Sequence, residues 1–517
     1  MVTLDEVVDT SLLQKPSGEA LDLLERSESN YTPLHSFALP KDRQYQQQFA
    51  DIYFLRLTKI KPAVEAVASA AWAETILAGE TATKVDRVLD VRQGQLCWVV
   101  GTVYMDMPLK PSVLEDVVKD RWISAPTTSD HYYAESGSES CSLEDDSGRI
   151  RLVGNVLRDY FLVTGCIIGV MGTENASGDF EVIDLKFADL PPQPERWSLS
   201  KPAPKGSARK PKIKEEDVEM ADVSSSSSQP SKKIAIVSGL EFSGTDTSYA
   251  MELNLLLEFL LGEALDPAAQ SELSQISRLI IAGNSIARPS DHDPAAAADK
   301  PHNKKYGYDS SSYNPIPSQL LDTFLSSLLP SIPITLLPGA LDPANTSYPQ
   351  QPIHSAMFPQ ARTYTSTPGV PTAPSPSSSS SSETPGWLDP VTNPWEGEVE
   401  GWRVLGTGGQ NLDDICKYVD SEDKLGMMEA MCRWRCSAPT APDTLWSYPF
   451  QDDEPFVMKE CPHLYFVGSQ TEFGTKIIEG SQGQMVRLVL VPSFAATKEI
   501  VLIDTETLDV SKVKFTA

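Results

Sequence analysis

Hydrophobic and polar positions along this chain follow two different periods. Between Ser36 and Trp197 the first apolar residues recur at helical spacing. They are Tyr45, Phe49, Ile52, Tyr53 and Leu57, and an Ala-rich continuation runs from Val64 to Leu77. The pattern then shifts to strands at Val99–Tyr104, Phe161–Val170 and Phe180–Phe187. Cys141–Val153 reads as a hairpin with its turn at Asp145–Gly148. Short strands, a tight acidic hairpin and Gly-interrupted runs predict a small barrel of OB-fold type.

From Lys232 to Ala517 strand and helix patterns alternate. Apolar strands are expected at Lys233–Ser238, Ser277–Asn284, Ile334–Gly339, Trp402–Thr407, Leu464–Gly468, Met485–Pro492 and Ile500–Asp504. Helices are expected at Tyr249–Leu261 and Leu412–Tyr418. Strands ending in Gly-polar loops predict an α/β domain whose functional side chains sit on strand-end loops, as in phosphoesterases.

Low-complexity stretches separate these units. Residues 199–231 pass from Lys and Pro through an acidic stretch to a Ser run, which reads as a linker. Residues 363–384 are rich in Pro and Ser and read as an insertion, and Arg288–Pro315 as a further loop. The plan is a tail at 1–35, a helical lead-in plus OB-like domain at 36–198, the linker, and an α/β domain at 232–517. The tail, with Leu12, Leu13, Leu21, Leu23 and Leu24, reads as a free end or a partner-docking helix.

Composition narrows the function classes. At 517 residues the chain is too long for one core. No apolar run approaches the ~20 residues of a membrane span, so no membrane partner is expected. The start, with Asp5, Glu6 and Asp9, lacks a secretory n-region. Seven scattered Cys suit a reducing compartment. A net charge of -28 argues against strong nucleic-acid binding by the chain alone.

Several groups are candidate sites. Cys432 and Cys436, with Cys416 and Cys461 elsewhere, fall short of two close zinc-ligand pairs. The same segment, with Arg433, Trp434 and Arg435, reads as simple packing or as a cationic and aromatic surface. Arg149, Arg151, Arg158, Tyr132, Tyr133 and Tyr160 are available for single-stranded DNA on the barrel, against a crowd of acids at Glu139, Glu144, Asp145 and Asp146. Gly406–Gln410 lacks the Lys of a phosphate cradle and precedes two carboxylates, so it reads as structural. Arg209, Lys210, Lys212 and Lys214 form a basic run suited to nuclear import.

Taken together, the chain resembles the B-subunit family of replicative DNA polymerases, in its delta branch. The resemblance rests on Phe54–Leu57, Val99–Tyr104, Tyr132–Ile150, Ile236–Leu240, Leu279–Ser285 and Leu337–Asn345. His354–Pro359, Thr392–Pro394, Gly406–Ile415, Cys461–Gly468, Phe473–Lys476 and Leu490–Phe494 extend it over most of the chain beyond Phe37. It implies an OB-fold-like barrel followed by a calcineurin-like, metallophosphoesterase-type α/β domain. Active relatives hold two metal ions there on Asp, His and Asn ligands. The corresponding positions here are Gly239, Glu241, Asn284, Ala340, Leu341, Asp342, Gly408, Ser469 and Thr471. Two bridged divalent ions need carboxylate and imidazole ligands; of this set only Asp342 keeps a family carboxylate, Glu241 standing at a His position, so no metal, cofactor or catalytic residue is expected.

The resemblance further implies a non-catalytic scaffold of DNA polymerase delta in the nucleus, acting in replication and repair. It would hold the Cys-rich C-terminal module of the catalytic subunit and a third subunit, and through them the sliding clamp and DNA. The alternatives are the B-type subunits of polymerase alpha or epsilon and, in another class, a metal-dependent phosphodiesterase or exonuclease.

Overall fold

The computed structural model describes residues 24–43, 49–77, 79–111, 130–134, 139–196, 231–263, 267–287, 314–366 and 386–516. Nearly all of the linker at 199–231, most of the insertion at 363–384 and the loop at 288–313 lie outside them. So do Arg209, Lys210, Lys212, Lys214 and residues 1–23.

Strand β1 (Tyr31–Pro33) comes first and pairs antiparallel with Gly397–Val399 of the second domain. The end of the expected tail is therefore a strap across that domain. Arg26 anchors it by donating to the carbonyls of Leu260, Leu273 and Ile276 at 2.7–3.2 Å. Tyr31 donates to Asp389 at 2.5 Å, and the Arg278 guanidinium lies 4.0 Å over its ring.

Helix α1 (Ala50–Trp72) is a single 23-residue helix that spans both the first helical stretch and its Ala-rich continuation. Pro62 removes one intrahelical hydrogen bond. It sits on the exposed side of the helix. The buried stripe is Ile52, Arg56, Ile60, Val64, Ala68 and Trp72, one residue per turn. Ile76 and Leu77 leave the helix for a two-residue strand.

The barrel comprises β2 (Cys97–Asp106), β3 (Ser140–Glu144), β4 (Arg149–Val153), β5 (Ile167–Glu174) and β6 (Phe180–Lys186). They pair in the order β2-β3-β4-β6-β5, and β5 returns to β2 to close the sheet. Only β4 and β6 run parallel within this ring. β5 begins later than the sequence suggested, because the chain turns at Thr164–Gly165. Gly165 has φ +92°, and a Cβ there would lie 2.1 Å from the Pro439 carbonyl oxygen.

The second domain contains β7 (Lys233–Val237), α2 (Ala250–Leu261), β8 (Ile276–Ala282), α3 (Ile316–Leu328), β9 (Ile334–Leu337), β10 (Leu388–Pro390) and β11 (Trp395–Val399). It continues with β12 (Trp402–Thr407), α4 (Gln410–Tyr418), α5 (Lys424–Arg433), β13 (Leu464–Gln470), β14 (Gly474–Glu479), β15 (Met485–Pro492), β16 (Glu499–Asp504) and β17 (Val510–Lys514). One sheet runs β10-β9-β8-β7-β16-β17 and the other β1-β11-β12-β13-β15-β14. Their inner faces share a core that includes Ile236, Ile280, Trp395, Phe466 and Val489. Helices α2 and α3 cover the outer face of the first sheet. Helices α4 and α5 cover the second, giving four layers.

The same core that lies under α4 and α5 runs on into the barrel. Val99, Leu143 and Phe180 share it with Met427, Trp434 and Tyr465. The two domains are thus joined by buried apolar surface, which contributes roughly 25 cal/mol per Å².

Candidate functional site

Five strand-end loops carry the positions singled out in the sequence, and the fold brings them together. β7, β8 and β9 are parallel in one sheet, and β12 and β13 are parallel in the other. A Cβ placed on Gly283 would lie 3.0 Å from the Cα atoms of both Gly339 and Gly408. A Cβ on Gly468 would lie 2.1 Å from the Ala282 carbonyl oxygen. The loops meet backbone to backbone, which is why small residues stand there.

Neutral groups stitch this junction. Ser238 donates to the Ala282 carbonyl at 2.6 Å and accepts from the Ser469 amide at 2.7 Å. Asn284, at φ +52°, accepts from the Leu341 amide at 3.0 Å. Asn393 accepts from the Gly408 amide at 2.9 Å and donates to Gln350 and Gln410, each at 2.9 Å. Gln410 closes the triangle by donating to Gln350 at 2.8 Å. Gln350, Asn393 and Gln410 thus each spend both polar atoms on neighbours.

The charged members are committed as well. Asp342 is buried and accepts from the amides of Gly339 and Ile286 at 2.7 and 2.9 Å. Burial pushes its carboxyl up to about 6, against the opposing pull of those amides. Lys424 puts its ammonium 3.0 Å from Gln470 Oε1 and 3.5 Å from Thr471 Oγ1, so a cation already stands beside these positions. Glu241, at φ +47°, accepts from Ser493 at 3.2 Å and borders a cleft of about 390 Å³ lined largely by hydroxyls.

Exposure separates the remaining positions. Gly239 and Gly408 are buried, while Ala340 and Thr471 face solvent. Leu341 is half-buried. Among the described residues, no group of three or more His, Cys, Asp and Glu is placed to hold a metal ion. The donor set at the junction consists of amides, hydroxyls, the amide-bound carboxyl of Asp342 and the Ser493-bound carboxyl of Glu241, with no imidazole. It does not fit two bridged divalent cations.

The other sequence candidates resolve differently. Cys432, Cys436 and Cys461 are free and buried, and burial pushes the Cys436 thiol up to about 11 and that of Cys461 up to about 12. Thiols held protonated are poor metal ligands. The Cys432–Cys436 segment is not an exposed aromatic and cationic surface. Trp434 is fully buried. Arg433 pairs with Asp189 at 2.5 Å, and Arg435 donates to the carbonyls of Ala188, Asp189 and Leu190 at 2.7–3.1 Å. These arginines bind the end of the barrel domain to the second domain. Of the barrel's nucleic-acid candidates, Tyr132 is buried and donates to Asp414, and Arg149 pairs with Glu144. Arg151, Arg158 and Tyr160 remain exposed.

Sequence reasoning missed Arg56, Gln350 and Asn393. Arg56 occupies the fourth-residue repeat of the α1 stripe, and a cation at an otherwise apolar stripe position was the available signal.

The chain thus joins a closed OB-type barrel to a two-sheet α/β domain whose strand-end loops meet at one junction. Two family models match: that of the DNA polymerase delta subunit OB-fold domain over residues 48–185, and that of the B subunit of DNA polymerase alpha/epsilon over 234–475. The DNA polymerase delta small subunit of Saccharomyces cerevisiae is 33% identical over 92% of this chain and 90% of its own length. That of Arabidopsis thaliana is 32% identical over 95% and 96%, and DNA polymerase delta subunit 2 of Drosophila melanogaster 29% over 95% and 98%. The chain belongs to the family of DNA polymerase delta small subunits.

Proposed function

We propose that this chain is a non-catalytic scaffold of DNA polymerase delta, serving replication and repair in the nucleus. Its second domain is a calcineurin-like fold used for shape and surface, with no metal chemistry of its own. It bridges the Cys-rich C-terminal module of the catalytic subunit to the third subunit, and so indirectly to the sliding clamp and DNA. The observation that carries this reading is the junction of five strand-end loops. Amides and hydroxyls there satisfy one another, Asp342 is tied to two backbone amides, and Lys424 stands where a metal would be repelled. The buried continuity between the domains adds support, because a bridge between two partners has to hold them in fixed geometry.

The test is metal content after dialysis together with hydrolysis of bis-p-nitrophenyl phosphate by the isolated chain. The scaffold reading expects sub-stoichiometric manganese and zinc and no turnover above buffer. Stoichiometric metal with turnover abolished by Asp342→Asn would replace it with a metallohydrolase.

A further inference from the structure

We propose that the cleft at the seam of the two domains, between Met105 and Met107 on the barrel and Val419 at the end of α4, is a docking site. Its occupant is a short segment of another polymerase subunit that carries a bulky apolar side chain beside a Lys or Arg. The proposal rests on the accessory-subunit reading and specifies one of the contacts that reading requires.

The cleft has a volume of about 330 Å³ and is walled by Tyr133, Tyr160 and Leu162. Sites of this size at domain seams take side chains or small ligands rather than whole domains. Its walls are already fixed. The Tyr133 ring stacks on His131 at 4.5 Å, and Tyr160 meets Phe187 edge-on at 5.6 Å. Ordering that precedes binding lowers the entropic cost of docking. The two methionines adapt their shape to an inserted side chain.

Charge selects the occupant. Glu139 and Asp420 sit among the lining residues; Glu139 accepts from the Ala134 amide at 2.6 Å, Asp420 stands by the Tyr133 hydroxyl, and no Lys or Arg among the described residues forms an ion pair with either. Three nearby cations are engaged elsewhere. Lys110 pairs with Asp443, Arg149 pairs with Glu144, and the Lys417 ammonium lies 5.7 Å over the Tyr132 ring. Two carboxylates at the cleft repel a nucleic-acid backbone and attract a cationic side chain. The apolar walls call for a large hydrophobic anchor beside it.

The experiment places the photo-crosslinking residue p-benzoylphenylalanine at Tyr160 in the full chain, co-expressed with the catalytic and third subunits of DNA polymerase delta. A second probe at exposed Asp420 guards against misfolding at Tyr160. Incorporation is checked by intact mass. The expected result is a crosslink from both positions to one partner peptide with a large apolar residue within a few positions of Lys or Arg. Glu139→Lys with Asp420→Lys should lower the Tyr160 crosslink about tenfold while the subunits still co-purify. An assembled complex without crosslinks, or crosslinks to an acidic peptide, or a yield untouched by charge reversal, overturns the docking site and leaves the accessory reading standing. Failure of any polymerase subunit to co-purify overturns both.

Discussion

Arg56 Nη2 lies 3.2 Å from Glu454 Oε1 with both side chains completely buried, and the pair joins the first helix of the barrel domain to the second domain. Arg56 also donates to the carbonyls of Pro439 and Ala441, at 2.5 and 2.8 Å. Burial opposes the guanidinium's charge, but Cys436, Glu454 and Tyr53 together hold it above the usual arginine range. Breaking a buried pair on one side strands the other charge. Arg56→Ala should therefore lower unfolding free energy by about 3–5 kcal/mol in urea titration. Arg56→Met with Glu454→Leu should recover only part of this, because the carbonyls of Pro439 and Ala441 stay unpartnered. Full recovery would mean that those carbonyl bonds are worth nothing.

Arg435 makes a second clamp, with three carbonyls of residues 188–190 in reach of one guanidinium. A Lys ammonium cannot reproduce that fork. Arg435→Lys and Arg435→Ala should each cost about 1–3 kcal/mol and open the chain to protease near Pro191–Gln193 before the rest unfolds. Equal cleavage rates in wild type and variants would place the strength of this seam in its apolar core alone.

Asp342 gives the stability a pH dependence of known sign. Its carboxyl rises from 3.8 to about 6 in the folded chain, chiefly through burial. The native state therefore holds that proton more tightly than the unfolded state does. This contribution is full below pH 3.8 and is lost as pH rises through about 6. A shift of about two units corresponds to about 3 kcal/mol. Asp342→Asn should remove this slope from urea midpoints measured between pH 4 and pH 7 while lowering the plateau, because its amide NH₂ cannot accept from the backbone. A variant with the wild-type slope would assign the titration to another group.

The insertion enters and leaves the fold at one place. A Cβ on Gly386 would lie 2.4 Å from the Tyr364 carbonyl oxygen, so the chain ends flanking residues 367–385 are adjacent. Tyr364 itself packs against the helical core, so the removable part starts later than the sequence boundary at 363. Replacing 367–385 by two or three glycines should leave the thermal midpoint unchanged, since loop length contributes only ~0.6 kcal/mol per doubling. A drop of many degrees would show that the segment packs.

Much of this fold was legible because its signals are local. The hairpin at Cys141–Val153 has turn chemistry at Asp145–Gly148, and the strands of the second domain are near-continuous apolar runs. The strand-end loops were legible from their glycines and Asn284. What escaped depends on distant partners. β1 is three residues long, and only its pairing with Gly397–Val399 makes it a strand. α3 starts among Pro315 and Pro317 and reads locally as loop. α5 carries Gly426 in its first turn and is set by the Asp423 cap, which accepts from the Gly426 amide at 2.8 Å. The Gln350–Asn393–Gln410 triangle joins residues far apart in sequence, and no local pattern marks such a partnership. Trp434 and its flanking arginines left a surface reading open, because polar neighbours in sequence do not reveal that their charges point into a domain seam.

The most direct measurement is co-purification of the tagged full chain from its own cells, with bound proteins identified by mass spectrometry and quantified against the bait. The scaffold account predicts the delta-type catalytic subunit and a third subunit in stoichiometric amounts, both retained after the isolated chain has been found free of phosphodiesterase turnover. Recovery of the chain without any polymerase subunit would contradict it.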